Sequence, residues 1–206
     1  MLNERNIKEV YETKKEEIKK AIEGYKSDKM DNELFYEFIF TLLTPQSSGV
    51  RCWEIVEDLM KKNFFENGAG LEELQNFLRS RVRFHNNKAR YLIEARNNWS
   101  IIKSEIVKNN SREIRNWLVE NVNGQGMKEA SHFLRNIGHS RLAILDRHIL
   151  RCLNNFNVIN EVPRSLSKNK YLEIEGNFND FSNSIGISVD ELDLLFWSEA
   201  TGRVFK

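Results

Sequence analysis

Pro45 and Pro163 are the only prolines in 206 residues, and ten glycines are the only other strong breakers. A chain so short of both is free to build long helices, because these residues interrupt helices most strongly. The apolar residues agree. Ile7, Val10, Tyr11, Ile18, Ile22 and Tyr25 recur at helical spacing with charges between them. "ELFYEFIFTLLT" sets Leu34, Phe35, Phe38, Ile39 and Leu42 on one broad face, and Pro45 stops it. No strand pattern stands out.

Further along, "SSGVRCWEIVEDLMKK" restarts a helix with Ser47 or Ser48 as N-cap. "FENGAG" reads as a loop and "LEELQNFL" as a short helix. "NNKARYLIEARNNWSIIKSEIV" reads as one longer helix, with Tyr91, Leu92, Ala95, Trp99, Ile102 and Ile106 in phase. "SREIRNWLVENV" and "MKEASHFLRNIG" follow, the latter closed by Gly138. Asp146 is a good N-cap for "DRHILRCLNNF", and "KNKYLEIEGNFNDFSNSIG" is a helix and a turn. Ser188 and Glu191 make a capping box for a last helix that Gly202 ends. The expectation is an all-α chain of about nine to eleven helices in one compact unit.

Net charge is +1, so any nucleic-acid footprint must come from local clustering. Residues 79–96, "RSRVRFHNNKARYLIEAR", hold six Lys/Arg against one Glu. Arg81 and Lys88 in that stretch are candidate phosphate contacts, unless the run is simply a solvated face. Arg164, Lys168 and Lys170 form a smaller group. Cys52 and Cys152 lack the spacing of a zinc site or an iron–sulfur cluster, as do the four histidines, so no metal or cofactor is expected. No apolar run suits a signal peptide or a membrane span, and a reduced cytoplasmic setting is expected.

The chemistry concentrates in "WLVENVNGQGMKEASHFL". A helix, a tight turn with Gly124 and Gly126, and a second helix make a helix–hairpin–helix pattern. Such a turn lets backbone N–H groups approach a phosphate, which binds DNA without reading its sequence. An ordinary αα-hairpin has the same outline. Lys128 is the odd residue, because a cation near a helix N-terminus costs about 0.3–1 kcal/mol. It is either a solvated helix-end lysine or an amine nucleophile of the Schiff-base kind. Asp146 is either a plain N-cap or a carboxylate that stabilises a developing cation on a sugar, and both can hold.

Gly-x-Gly-x-Lys with an aspartate at this distance resembles the helix–hairpin–helix DNA glycosylase superfamily. Within it, "GMKEASHFLRNIG", "AILDRHIL", "KYLEIE" and "ELDLLFW…TGRVFK" are similar to the type 2 8-oxoguanine DNA glycosylase/AP lyases. The resemblance implies the helix–hairpin–helix glycosylase fold, with two helical lobes flanking a base-binding cleft. One lobe would span 30–140 and the other 1–29 plus 141–206. It implies excision of 8-oxoguanine from double-stranded DNA by a monomer, through attack of Lys128 on the sugar C1′, with Asp146 essential. Strand cleavage by β-elimination would follow, in the cytoplasm on a prokaryotic nucleoid. Phe84, Trp197 and Lys206 would hold the flipped base; "LLTPQSS" is similar instead to the endonuclease III segment in which a glutamine fills the gap left by the base, a role that would fall to Gln46. Each also has a plain reading: Phe84 as a helix cap, Trp197 as core, Lys206 as a frayed end, Gln46 as a linker residue. A non-catalytic DNA-binding module, or a glycosylase for another damaged base, remains open on the residues alone.

Overall fold

The structure, a computed structural model, describes residues 6–202 and 204. All regular structure among them is helical, in twelve elements. The chain divides into two units, Asp28–Phe133, and Met1–Ser27 with Leu134–Lys206. The second division therefore falls inside a helix, a few residues before the 140/141 junction that the resemblance implies.

The unit from Asp28 is organised on α2 (Asp31–Leu43). Every residue from Phe35 to Leu43 is buried, although the apolar spacing predicts burial of one face alone. A helix apolar on all sides is a core helix. Against it pack α3 (Gly49–Lys61), the single turn α4 (Phe64–Asn67) and α6 (His85–Asn97). The Phe35 ring has Tyr36, Phe64, Phe65 and Trp99 between 5.1 and 6.0 Å away. α5 (Leu71–Leu78) packs on α6, and α7 (Trp99–Lys108) links α6 to α8 (Ser111–Asn121). α9 (Met127–Asn136) begins in this unit.

Two expectations change here. The loop at "FENGAG" contains the turn α4, entered through the left-handed Asn63 (φ 51°). The long helix expected from residue 86 breaks at Asn98 (ψ 10°). Arg96 donates to the carbonyls of Phe64 and Phe65 at 3.0 and 2.8 Å, while the Trp99 indole donates to Asp31 at 2.8 Å. Side chains on either side of the Asn97–Asn98 pair are thus tied to different partners, and that polar pair takes up the bend.

The other unit is organised on α12 (Val189–Thr201), against which α1 (Ile7–Tyr25), α10 (Arg147–Asn155) and α11 (Lys168–Ile185) pack. The Ser188–Glu191 capping box is present, and Glu191 also accepts from the Tyr11 hydroxyl at 2.7 Å. Gly138 and Gly202 end their helices with φ of 95° and 78°.

Leu142–Leu145 is a buried strap with no helical hydrogen bonding of its own. Backbone polar groups in such a place need partners. Side chains of α11 supply them: Glu175 accepts from the Ala143 N–H at 2.8 Å. Tyr171 accepts from the Leu145 N–H at 3.2 Å and donates to the Ala143 carbonyl at 2.6 Å. The strap delivers the chain to Asp146 in one fixed place.

Candidate active site

The hairpin turn depends on its two glycines for different reasons. Gly124 has φ 88°, and a Cβ there would lie 2.5 Å from Tyr91 Cδ2. Gly126 is outside the left-handed region, but a Cβ there would lie 2.9 Å from Glu129 Oε2. Between them Gln125 is buried and donates from Nε2 to Thr41 Oγ1 at 3.1 Å, which pins the turn to the end of α2. α9 opens with the Ala130 N–H donating to the Gly126 carbonyl at 2.9 Å. The N–H groups of its first turn have no intrahelical acceptor and suit an anion.

Lys128 follows on that first turn, its side chain 23% exposed. Its ammonium meets Thr44 Oγ1 at 3.3 Å and Glu129 Oε1 at 2.9 Å. The cation that strains the local electrostatics is therefore placed among acceptors rather than left in solvent.

Lys88 departs from its expected place. It is 2% exposed, and Nζ donates to the Leu43 and Pro45 carbonyls at 2.6 and 2.8 Å and to Ser47 Oγ at 2.9 Å. All three protons are committed, so it has none for a phosphate. It holds the turn that follows α2. Burial pushes its pKa down to about 8, and repulsion from Lys128 adds to this, while Cys52 and Glu129 oppose it. Cys52 is itself pushed up to about 11 by burial. Arg81 is half-buried, paired with Asp58 at 2.8 Å and stacked 4.7 Å from the Phe77 ring. The exposed cations of the basic stretch are Arg79, Arg83 and Arg90.

Gln46 lies at the tip of the turn that Lys88 holds, exposed and left-handed (φ 52°). Its Oε1 accepts from Arg83 at 3.3 Å, and the Arg83 N–H reaches Ser47 Oγ at 3.3 Å. Next to Arg83, Phe84 is also left-handed (φ 56°) and 56% exposed. An exposed aromatic ring on a strained residue is expected where function requires it. The structure thus gathers Gln46, Arg83 and the backbone of Phe84 on one patch.

In the other unit Asp146 has two tasks. Oδ1 accepts from the N–H groups of His148 and Ile149, both at 2.8 Å, which is the N-cap. Oδ2 accepts from the Trp197 indole at 3.3 Å. Trp197 is half-buried rather than plain core, with the His148 ring edge-on at 6.5 Å. His148 Nε2 lies 2.7 Å from the Phe196 carbonyl and so carries the hydrogen there. Asp193, one turn before Trp197, is buried beside Arg135 at 3.1 Å. Burial pushes its carboxyl up; Arg135 opposes this, and Asp146 and Asp190 reinforce it. Lys206 lies outside the described residues.

Thr41, Thr44, Gln125 and Glu129 do not stand out in the sequence. The available signal is polar residues inside the apolar run "FIFTLLT" and between the two glycines. Among the described residues no group of three His, Cys, Asp or Glu could hold a metal ion. No described helix is long and apolar enough to cross a membrane.

The described residues are all-helical, and their glycine hairpin, the lysine after it and the capping aspartate make the pattern of the helix–hairpin–helix glycosylase fold. The model of the 8-oxoguanine DNA glycosylase family matches residues 13–187. An 8-oxoguanine DNA glycosylase/AP lyase of Fusobacterium nucleatum is 38% identical, over 97% of this chain and 96% of that protein. One from Methanocaldococcus jannaschii is 39% identical, over 97% and 99%. The crystal structure of the M. jannaschii enzyme in complex with 15mer DNA containing 8-oxoguanine superposes with a TM-score of 0.90. That match has 36% identity and covers 98% of each chain. The 8-oxoguanine DNA glycosylase of Thermotoga maritima gives 0.87, at 31% identity over 98% and 97%. The chain belongs to the 8-oxoguanine DNA glycosylase family.

Proposed function

We propose that this chain excises 8-oxoguanine from double-stranded DNA and then cuts the abasic strand by β-elimination, as a monomer on a prokaryotic nucleoid. The observation that carries the reading is Lys128, on the first turn after the glycine hairpin, held by Thr44 and Glu129. Lys128 supplies the amine that bonds to the sugar C1′, and the resulting Schiff base permits β-elimination. Asp146 has one oxygen committed to the cap, which leaves Oδ2, shared with Trp197, to stabilise positive charge developing on the sugar. The hairpin amides grip the backbone, Phe84 and Trp197 stack on the extruded base, and Lys206 contacts its edge. Gln46, with Arg83, enters the gap. The test is a panel of duplexes each carrying one lesion, with free base and cut strand read separately. Both products from 8-oxoguanine, far faster than from other lesions, are expected. Faster release of a different base would replace the substrate, and binding without either product would leave a non-catalytic module.

A further inference from the structure

We propose that Glu129 is a further catalytic residue, the base that takes the proton from the Lys128 ammonium. This rests on Lys128 being the nucleophile.

Neighbouring residues on a helix point about 100° apart and do not ordinarily meet. Lys128 and Glu129 nevertheless pair at 2.9 Å. They meet because the Glu129 side chain turns back over Gly126, where a Cβ would lie 2.9 Å from its Oε2. Since Gly126 is outside the left-handed region, the missing side chain there provides room for a carboxylate and is not needed for the backbone angle. The carboxylate is well sheltered, with the Glu129 side chain 13% exposed.

Two acceptors face Lys128 Nζ, Thr44 Oγ1 and Glu129 Oε1. The Thr44 hydroxyl already donates its hydrogen to the Thr41 carbonyl at 2.9 Å, so it orients the amine without acting as a base. Of the two, the carboxylate alone can carry a proton away. The titratable groups that interact with the pair are Lys88 from α6, with both members, and Cys52 from α3, with Lys128; Arg51 acts on Cys52 alone. Lys88 has committed its protons to the turn after α2 and leaves Glu129 to Lys128.

An ammonium has no lone pair and cannot attack. One proton passes from Nζ to the Glu129 carboxylate, giving a neutral amine and a carboxylic acid. The freed lone pair forms the Nζ–C1′ bond. The C1′–N9 bond breaks, its electron pair leaves with the base, and the base takes a proton from solvent.

The test is single-turnover excision of 8-oxoguanine at saturating enzyme, from pH 6 to 9, for wild type, Glu129→Gln and Glu129→Asp. Glu129→Gln keeps the shape and removes the base, so excision should fall about 10²-fold at the acid end. The deficit should narrow as pH rises, because solvent then takes the proton. Glu129→Asp should keep the wild-type pH profile at a reduced rate, which guards against a merely misfolded glutamine variant. Profiles of Glu129→Gln and wild type that run parallel, or coincide, would overturn the proposal. Borohydride trapping with Lys128→Gln is run alongside. An adduct there defeats the assignment of Lys128, whereas its loss together with parallel glutamate profiles defeats only the role of Glu129.

Discussion

Lys128 and Asp146 each stand at the start of a helix, and the two positions are opposite in electrostatic sense. At the start of α9 a cation faces the positive end of the helix dipole; at the start of α10 an anion does. Each interaction is worth about 0.3–1 kcal/mol, against the fold in the first case and for it in the second. The environments differ to match. Lys128 is held by side chains, Thr44 and Glu129, that offset its unfavourable place. Asp146 is held by its own helix through two N–H groups, at the end of a strap fixed by Tyr171 and Glu175. A residue that breaks a local rule advertises a role beyond folding. One that obeys the rule hides such a role behind a sufficient structural reason.

The largest expected effect separates those two reasons at Asp146. Asparagine caps helices as well as aspartate, so Asp146→Asn should leave the melting temperature nearly unchanged. Single-turnover excision should fall about 10²–10⁴-fold. Near wild-type rates would reduce Asp146 to a cap and collapse the comparison.

Lys88→Met tests the support that a buried cation gives to the turn after α2. Removing a buried ammonium leaves the Leu43 and Pro45 carbonyls without that donor. The variant should lose about 2–4 kcal/mol in urea unfolding. The pH dependence has a definite sign. The folded pKa is about 8, below the ordinary 10.5. Between those values the unfolded chain holds a proton that the folded chain has released. Wild-type stability relative to Lys88→Met should therefore rise with pH across that window, with the burial cost fully present below it. A flat difference would show that Lys88 is not buried as a cation.

A smaller effect sharpens the DNA path. Replacing the exposed Arg79 and Arg90 by alanine should reduce the log–log salt slope of DNA binding by roughly 0.9 for each phosphate that is no longer neutralised. Lys88→Met should leave that slope alone. A slope that responds to Lys88 and not to the arginines would assign phosphate binding to Lys88 instead.

Most of the helices, the caps at Asp146 and Ser188 and the hairpin were legible because they are local, whereas the cap expected at Ser47 or Ser48 makes no side-chain bond to its helix. Apolar spacing, the capping box at Ser188 and the C-terminal glycines act within a few residues. The bend at Asn98 was not legible, since it follows from Arg96 and Trp99 reaching partners more than thirty residues away. Lys88 misled for the same kind of reason. In the sequence it is one cation in a basic run, and its acceptors at Leu43, Pro45 and Ser47 lie more than forty residues earlier. Phe84 and Gln46 carry no local sign of their left-handed backbone, because neither is the glycine or asparagine that such angles favour. Lys128 stood out in the sequence because the dipole that makes it odd is supplied by its own helix.

Borohydride trapping shows directly whether Lys128 is the nucleophile. Borohydride reduces a Schiff base to a stable amine, so an enzyme using this chemistry becomes covalently joined to its DNA. Wild-type protein on a duplex with one 8-oxoguanine should give such an adduct, with Lys128 as the modified residue on peptide mapping. Lys128→Gln, with DNA binding retained, should give none. A full-yield adduct with Lys128→Gln, or a map that places the bond elsewhere, would contradict the account.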